Sequence, residues 1–115
     1  MSYDEKLTDN IRELIADTGR KVEEKKMFGG LCFMVDDKMC VGVNTGRIML
    51  RLDPALNETV LEEEGCTPMV HGGRMMKGYV YVSESVLTTR KRLAYWINLA
   101  LAFNLIAQPA KKKKK

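Results

Sequence analysis

The apolar positions of this chain change period along its length, and the changes mark its elements. Leu7, Ile11, Leu14 and Ile15 fall at helical spacing and form one stripe. Ser2 and Glu5 stand at the spacing of a capping box, and Gly19 supplies a helix stop. This pattern predicts a first helix over about residues 3–17. From Val22 the period shortens to two. Val22 to Met27 alternates weakly. Leu31, Phe33 and Val35 alternate with Cys32 and Met34; Met39, Val41 and Val43 with Cys40 and Gly42; Ile48, Leu50 and Leu52 with Met49 and Arg51. Asp36-Asp37-Lys38 and Asn44-Thr45-Gly46 are the turns between them. Strands joined by turns of two or three residues must run antiparallel, because a parallel crossover needs a dozen residues or more. The alternation puts Leu31, Phe33, Val35, Met39, Val41 and Val43 on one face, which needs a helical cover.

A second helix is predicted after Asp53, a cap, and Pro54, which suits the first helical position, with Gly65 as terminator. Leu56, Val60 and Leu61 are its apolar side, and Glu58, Glu62, Glu63 and Glu64 mostly its solvated side. Residues 66–76, with Pro68, His71, Gly72 and Gly73, read as a loop or irregular edge. Met76 to Val82 reads as a further strand. The third helix runs from about Thr88 to Leu105, with a main stripe of Leu93, Trp96, Ile97, Ala100 and Phe103. Leu99, Leu101 and Leu105 widen its apolar arc beyond the ~100° of an ordinary surface helix, so it is either deeply buried or partly covered by a second subunit. The expected fold class is α+β: two layers, an antiparallel sheet of about five strands with helices packed on one face. It forms one domain over 1–109, followed by a disordered lysine tail at 110–115.

Composition fits that architecture. The chain has 115 residues, 45% hydrophobic and 30% charged, as in an ordinary globular domain. No apolar run approaches the ~20 residues of a bilayer span, and no secretory leader is visible at the N-terminus, so the chain reads as cytoplasmic and free of membrane. The net charge of +4 comes from Lys111, Lys112, Lys113, Lys114 and Lys115; without them, 14 basic residues face 15 acidic ones. A body near neutrality is not the electrostatic footprint of a DNA-binding domain, and no positive face or aromatic stacking platform is evident along it. The tail alone is expected to give weak, salt-dependent and sequence-independent contact with nucleic acid.

The candidate chemistry is sparse. Cys32, Cys40 and Cys66 form no C-x-x-C pair, and one histidine cannot complete a zinc site with them. Cys32 and Cys40 face opposite sides of a hairpin with a two-residue loop, or sit diagonally about 7–8 Å apart with a three-residue loop. Neither suits a disulfide, whose Cα atoms lie within ~6.8 Å. Cys66 and His71 share a segment, without the flanking motif of a cysteine enzyme. Gly29-Gly30 precedes a strand, whereas phosphate loops end on a helix N-terminus. No catalytic residue, metal or cofactor is therefore expected. Arg51, Arg74 and Lys77 are the cations nearest the later strands; they either hold an anion or acidic partner on a shared surface or snorkel over an apolar face. The eight methionines fill core gaps or supply an adaptable binding surface.

Two segments carry a resemblance. Lys26-Met27-Phe28-Gly29-Gly30, a strand end running into a tight turn, is answered by Met76-Lys77-Gly78-Tyr79-Val80-Tyr81-Val82, and Trp96 follows in a helix. In this order they resemble the TfoX/Sxy N-terminal domain family in its short form, over the whole chain except the tail. The resemblance implies a structural role for Met27, Phe28, Gly29, Gly30, Lys77, Gly78 and Trp96. Full-length members are regulators of competence for DNA uptake that carry a second, helical domain, which would begin where this chain ends. What the resemblance implies here is a non-enzymatic regulatory module that binds another protein or a second copy of itself.

Overall fold

A computed structural model describes residues 5–27 and 30–107. Its elements follow in the order α1 (Glu5–Ala16), β1 (Val22–Met27), β2 (Gly30–Val35), β3 (Lys38–Asn44), β4 (Arg47–Arg51), α2 (Asn57–Val60), β5 (Cys66–His71), β6 (Arg74–Ser83) and α3 (Arg90–Asn104). The strands form one antiparallel sheet in the order β1-β2-β3-β4-β6-β5. The α+β class stands, with six strands in place of about five.

The extra strand is β5, in the stretch whose sequence reads as a loop or irregular edge; it is an irregular edge strand. It pairs with β6 and turns back at Gly72-Gly73. Pro68 misled the reading, yet a proline is tolerated on an edge strand, where one side makes no ladder. At the other edge β1 is VEEKKM, whose charges discourage pairing with a further strand. The second helix also falls short of its predicted length. After Asp53, whose carboxylate accepts from the Ala55 amide at 2.9 Å, a 3-10 turn over Pro54–Leu56 leads into α2, only four residues long. Between α2 and Gly65 the chain continues in turns.

Register explains the faces. The β2–β3 hairpin closes on the pair Val35↔Lys38, with Asp36 and Asp37 both at positive φ (52° and 67°) as a type I′ turn requires. Phe33 pairs with Val41 but Met34 with Met39, so Cys40 is the extra residue of a bulge. The bulge turns Cys40 into the core and moves Met39 to the opposite face, beside Met34, contrary to the plain alternation. It also leaves Cys32 and Cys40 on opposite sides of the sheet.

Both long helices cover the same face. α3 lies across β3 and β4, and α1 packs against α3. Ile11, Ile15, Phe33, Val41, Val43, Ile48, Leu50, Val80, Val82, Leu93, Trp96 and Ile97 make one continuous buried cluster. Of the residues that widen the apolar arc of α3, Leu101 is buried in the core, Leu99 packs partly buried against it and Leu105 is exposed. Thr89 caps α3 by accepting from the Arg92 amide at 3.2 Å, and Arg90 pairs with Glu13 of α1 at 3.0 Å. No cation lies in the last turn of α3; two arrive from elsewhere. Arg20 donates to Leu101 O at 3.3 Å and to Asn104 Oδ1, and Lys38 Nζ donates to Asn104 O at 2.7 Å. They compensate the negative end of the helix dipole and its unpaired carbonyls.

Candidate functional site

Glycines shape the two motif segments. Gly30 pairs with Met27 and closes the β1–β2 hairpin. A Cβ at Gly30 would overlap the Val43 carbonyl oxygen and the Asn44 side chain, so no other residue lets β2 and β3 approach this closely here. Phe28 and Gly29, the rest of that turn, lie outside the described residues, and for Met27 only the backbone is described. Gly78 sits at φ +86°, with the Leu52 carbonyl oxygen 2.8 Å from where its Cβ would stand. Its carbonyl accepts from the Leu52 amide at 2.6 Å, and its own amide donates to Asn57 Oδ1 at 3.1 Å. Asn57 is only 3% exposed, and its amide nitrogen also meets the Met75 sulfur at 3.7 Å. Asn57 is therefore a structural residue that the sequence reading passed over; the polar residue in the first turn after Pro54 was its only signal.

Gly78 divides β6 into two stretches. Tyr79 to Ser83 lies between β4 and β5, whereas Arg74 to Met76 runs on with β5 as a two-stranded ribbon. Val70 and Met75 are 58% and 51% exposed on this ribbon. Arg74 and Lys77 line one open depression there with Met75 and Met76. Arg51 does not join them. Its guanidinium lies between the rings of Tyr79 and Phe103, at 5.9 and 5.7 Å. The three, read as either sharing a surface or snorkelling over an apolar face, are thus divided, with two at the ribbon and one at the end of β4. Lys111 to Lys115 lie outside the described residues.

The sheet face turned away from the helices holds an arrangement the sequence did not show. Residues directly opposite in an antiparallel pair share a face. Lys25, Cys32, Gly42, Met49, Tyr81 and Thr67 therefore form one row across all six strands. Asn44, Arg47 and Ser83 form a second row, and Arg51 with Tyr79 a third. Arg47 stacks over the Tyr81 ring at 3.6 Å. Met49, 5% exposed, lays its methyl over Gly42, and Cys32, 1% exposed, touches the Met34 sulfur at 3.9 Å. The floor of this face is soft and apolar, its upper layer aromatic and cationic. Tyr79, Tyr81 and Arg47 come together on this face because pairing of β4 with β6 joins residues far apart in the chain.

The face is also electrostatically one-sided. Among the described strands, Glu23 is the sole carboxylate at a position on it, since Glu24 points to the helix side and binds Arg12 at 2.6 Å. Lys25 and Arg47 are its cations, while Arg51 stands at the end of β4 with its guanidinium between Tyr79 and Phe103 of α3. The near-neutral body therefore hides a segregation: apart from Glu23 and Glu24 of β1, the described carboxylates lie on the helices, in the turns and connecting segments, and in the 58–64 segment.

The thiols are poorly suited to catalysis. Burial pushes Cys32 and Cys66 up to about 11 and Cys40 up to about 12. All three are free and protonated at neutral pH, hence weak nucleophiles and metal ligands. Cys66 and His71 stand at opposite ends of β5, about 16 Å apart at the ordinary strand rise. Among the described residues, no group of three or more His, Cys, Asp or Glu side chains converges as a metal site. The depression between α1 and the segment before α3 is lined by Lys6, Leu7, Asn10, Glu84, Leu87 and Thr88, without a paired acid and base. No described helix is long and apolar enough to cross a membrane.

The family model of the TfoX N-terminal domain matches residues 13–104. The match takes in both glycine-bearing motifs, Trp96 and all six strands. No curated protein and no solved structure matches the chain.

Proposed function

The chain belongs to the TfoX N-terminal domain family, and from that membership we propose that it is a non-enzymatic regulatory module, like that of competence regulators, which works by binding a macromolecular partner. The uncovered face of the sheet is the binding surface. One observation carries this reading: the Arg47–Tyr81 stack stands on the one broad face that no described helix covers. An exposed face of half-buried aromatics and cations, with one carboxylate, suits an acidic partner. The five terminal lysines add attraction of the same sign.

The reading is tested in cells that depend on the module for a regulatory output. The Arg47→Ala/Tyr81→Ala chain is expected to match the deletion strain in its transcript profile while keeping its melting temperature. A Cys66→Ala chain is expected to retain the wild-type profile. The reverse pattern, with output lost on removal of the Cys66 thiol and kept without the stack, would replace binding with thiol chemistry.

A further inference from the structure

We propose that the uncovered face is a stacking platform for single-stranded nucleic acid, a refinement that rests on the binding role of that face. Tyr79 and Tyr81 stand two residues apart on one strand, about 7 Å along it. They project from the same side of β6, between β4 and β5. Both are half-buried, so their rings are anchored in the sheet and still reachable. Arg47, exposed and stacked on Tyr81, offers a flat guanidinium as a further stacking plane. Tyrosine rings and arginine planes are the groups on which unpaired bases stack.

Charge complementarity selects the partner. Arg12, Arg20, Lys21 and Arg90 are held in ion pairs with carboxylates, and all four lie at the helices or the strand ends. Lys25 and Arg47 have no carboxylate partner among the described residues and stand on the uncovered face, on β1 and β4, three strand spacings (about 14 Å) apart across the sheet and one same-face row (about 7 Å) apart along it. A polyanion laid across the strands from Lys25 to Arg47 meets a cation at each end and crosses the apolar Cys32 and Gly42 between them. An acidic peptide would use the cations and leave the rings idle. A duplex would present phosphates and hide its base faces. The paired rings therefore favour a single strand over either.

The test is fluorescence anisotropy with a labelled fifteen-nucleotide oligothymidylate. It uses the full-length chain and a full-length chain with Lys111–Lys115 all changed to Gln, which separates the face from the tail. The Gln-tail chain is expected to bind, with log K falling against log salt at a slope of about −1.4, as for about two phosphates on a single strand. Adding Tyr79→Ala and Tyr81→Ala should weaken binding at least about tenfold, since each stacked base contributes a factor of about five or more. Adding Tyr79→Phe and Tyr81→Phe instead should leave it within about twofold, which separates stacking from damage to the fold. A duplex of the same length should compete at least about tenfold less well. No binding by the Gln-tail chain at 100 μM protein (about a hundredfold above a micromolar Kd) overturns the proposal. So does equal affinity of the Tyr→Ala chain, equal competition by the duplex, or displacement by polyglutamate as effective as by the unlabelled oligonucleotide. A cellular phenotype of Arg47→Ala/Tyr81→Ala would still stand in these cases; equal competition by the duplex would assign the face to duplex nucleic acid, and displacement by polyglutamate to an acidic protein.

Discussion

The Arg47 guanidinium lies 3.6 Å above the centre of the Tyr81 ring, although the two residues belong to different hairpins. Arg47 begins β4, and Tyr81 lies late in β6. Antiparallel pairing of Met49 with Tyr81 and of Arg47 with Ser83 places them diagonally on one face, within reach of a long side chain. A cation over a tyrosine contributes about 0.5–1 kcal/mol at an exposed site, too little to explain the fold but enough to hold a binding surface in one arrangement.

Gly30 and Gly78 are expected to resist substitution for different reasons. Gly30→Ala drives a methyl into the Val43 carbonyl, and Gly78→Ala combines a positive φ with a contact on the Leu52 carbonyl. Each should destabilise by roughly 1–3 kcal/mol, read as a lower urea midpoint at unchanged slope. Gly46→Ala is the contrast: its φ is also positive but its Cβ site is open, so the loss should be smaller. Equal losses at all three would leave close approach without a role.

Asn57 holds the kink of β6. Asn57→Ala leaves the buried Gly78 amide unpaired, with an expected cost of about 1–3 kcal/mol. Amide exchange at Gly78 should accelerate more than at Val80. Uniform acceleration along β6 would mean that Asn57 supports the whole sheet and not the kink.

Stability should fall in alkali. A thiol whose folded pKa is raised keeps its full contribution below the unfolded value and loses it as pH rises toward the folded one. The loss should therefore start near pH 9 and grow toward pH 11–12, where the buried thiols ionise. At pH 8 a thiol reagent should find three thiols per chain in denaturant and react slowly with the native protein. Rapid native reaction at one site would identify an activated cysteine. Glu24 acts at the other end of the scale. Its hydrogen bond and charge pairing with Arg12 lower its pKa, so its contribution is present above the ordinary carboxylate range and lost as acid protonates it. Glu24→Gln should flatten the acid limb slightly, the pair being largely exposed.

The arc of α3 separates core from surface. Leu101→Asp buries a charge between α3 and its neighbours and should unfold the chain, against a total stability of roughly 5–15 kcal/mol. Leu105→Asp should leave the melting temperature unchanged. A folded Leu101→Asp monomer, obtained from a wild-type dimer, would move that arc from core to interface.

Much of the fold was legible because burial enforces period. Phe33, Val41, Leu50 and Val80 alternate as a covered sheet demands, and Leu93, Trp96, Ile97 and Ala100 keep a helical stripe. What stayed hidden depends on single residues whose effect is tertiary. The bulge at Cys40 reverses the face of Met39 without any local signal. Pro68 concealed β5, because edge position is a property of the whole sheet. Asp53-Pro54 announced a helix that the descent into β5 cuts to one turn. The site was less legible still. Arg51 and Lys77 were visible as cations near the motif, but Arg47, Tyr79 and Tyr81 become one surface only through the β4–β6 pairing.

The binding role of the uncovered face is tested most directly by mapping amide shifts in an isotope-labelled chain as oligothymidylate is added. The expected result is a set of shifts concentrated in Arg47–Arg51 and Tyr79–Ser83, with Lys25 and Thr67 at its margins. Shifts confined to residues 108–115, or centred on α1 and α3, would contradict it.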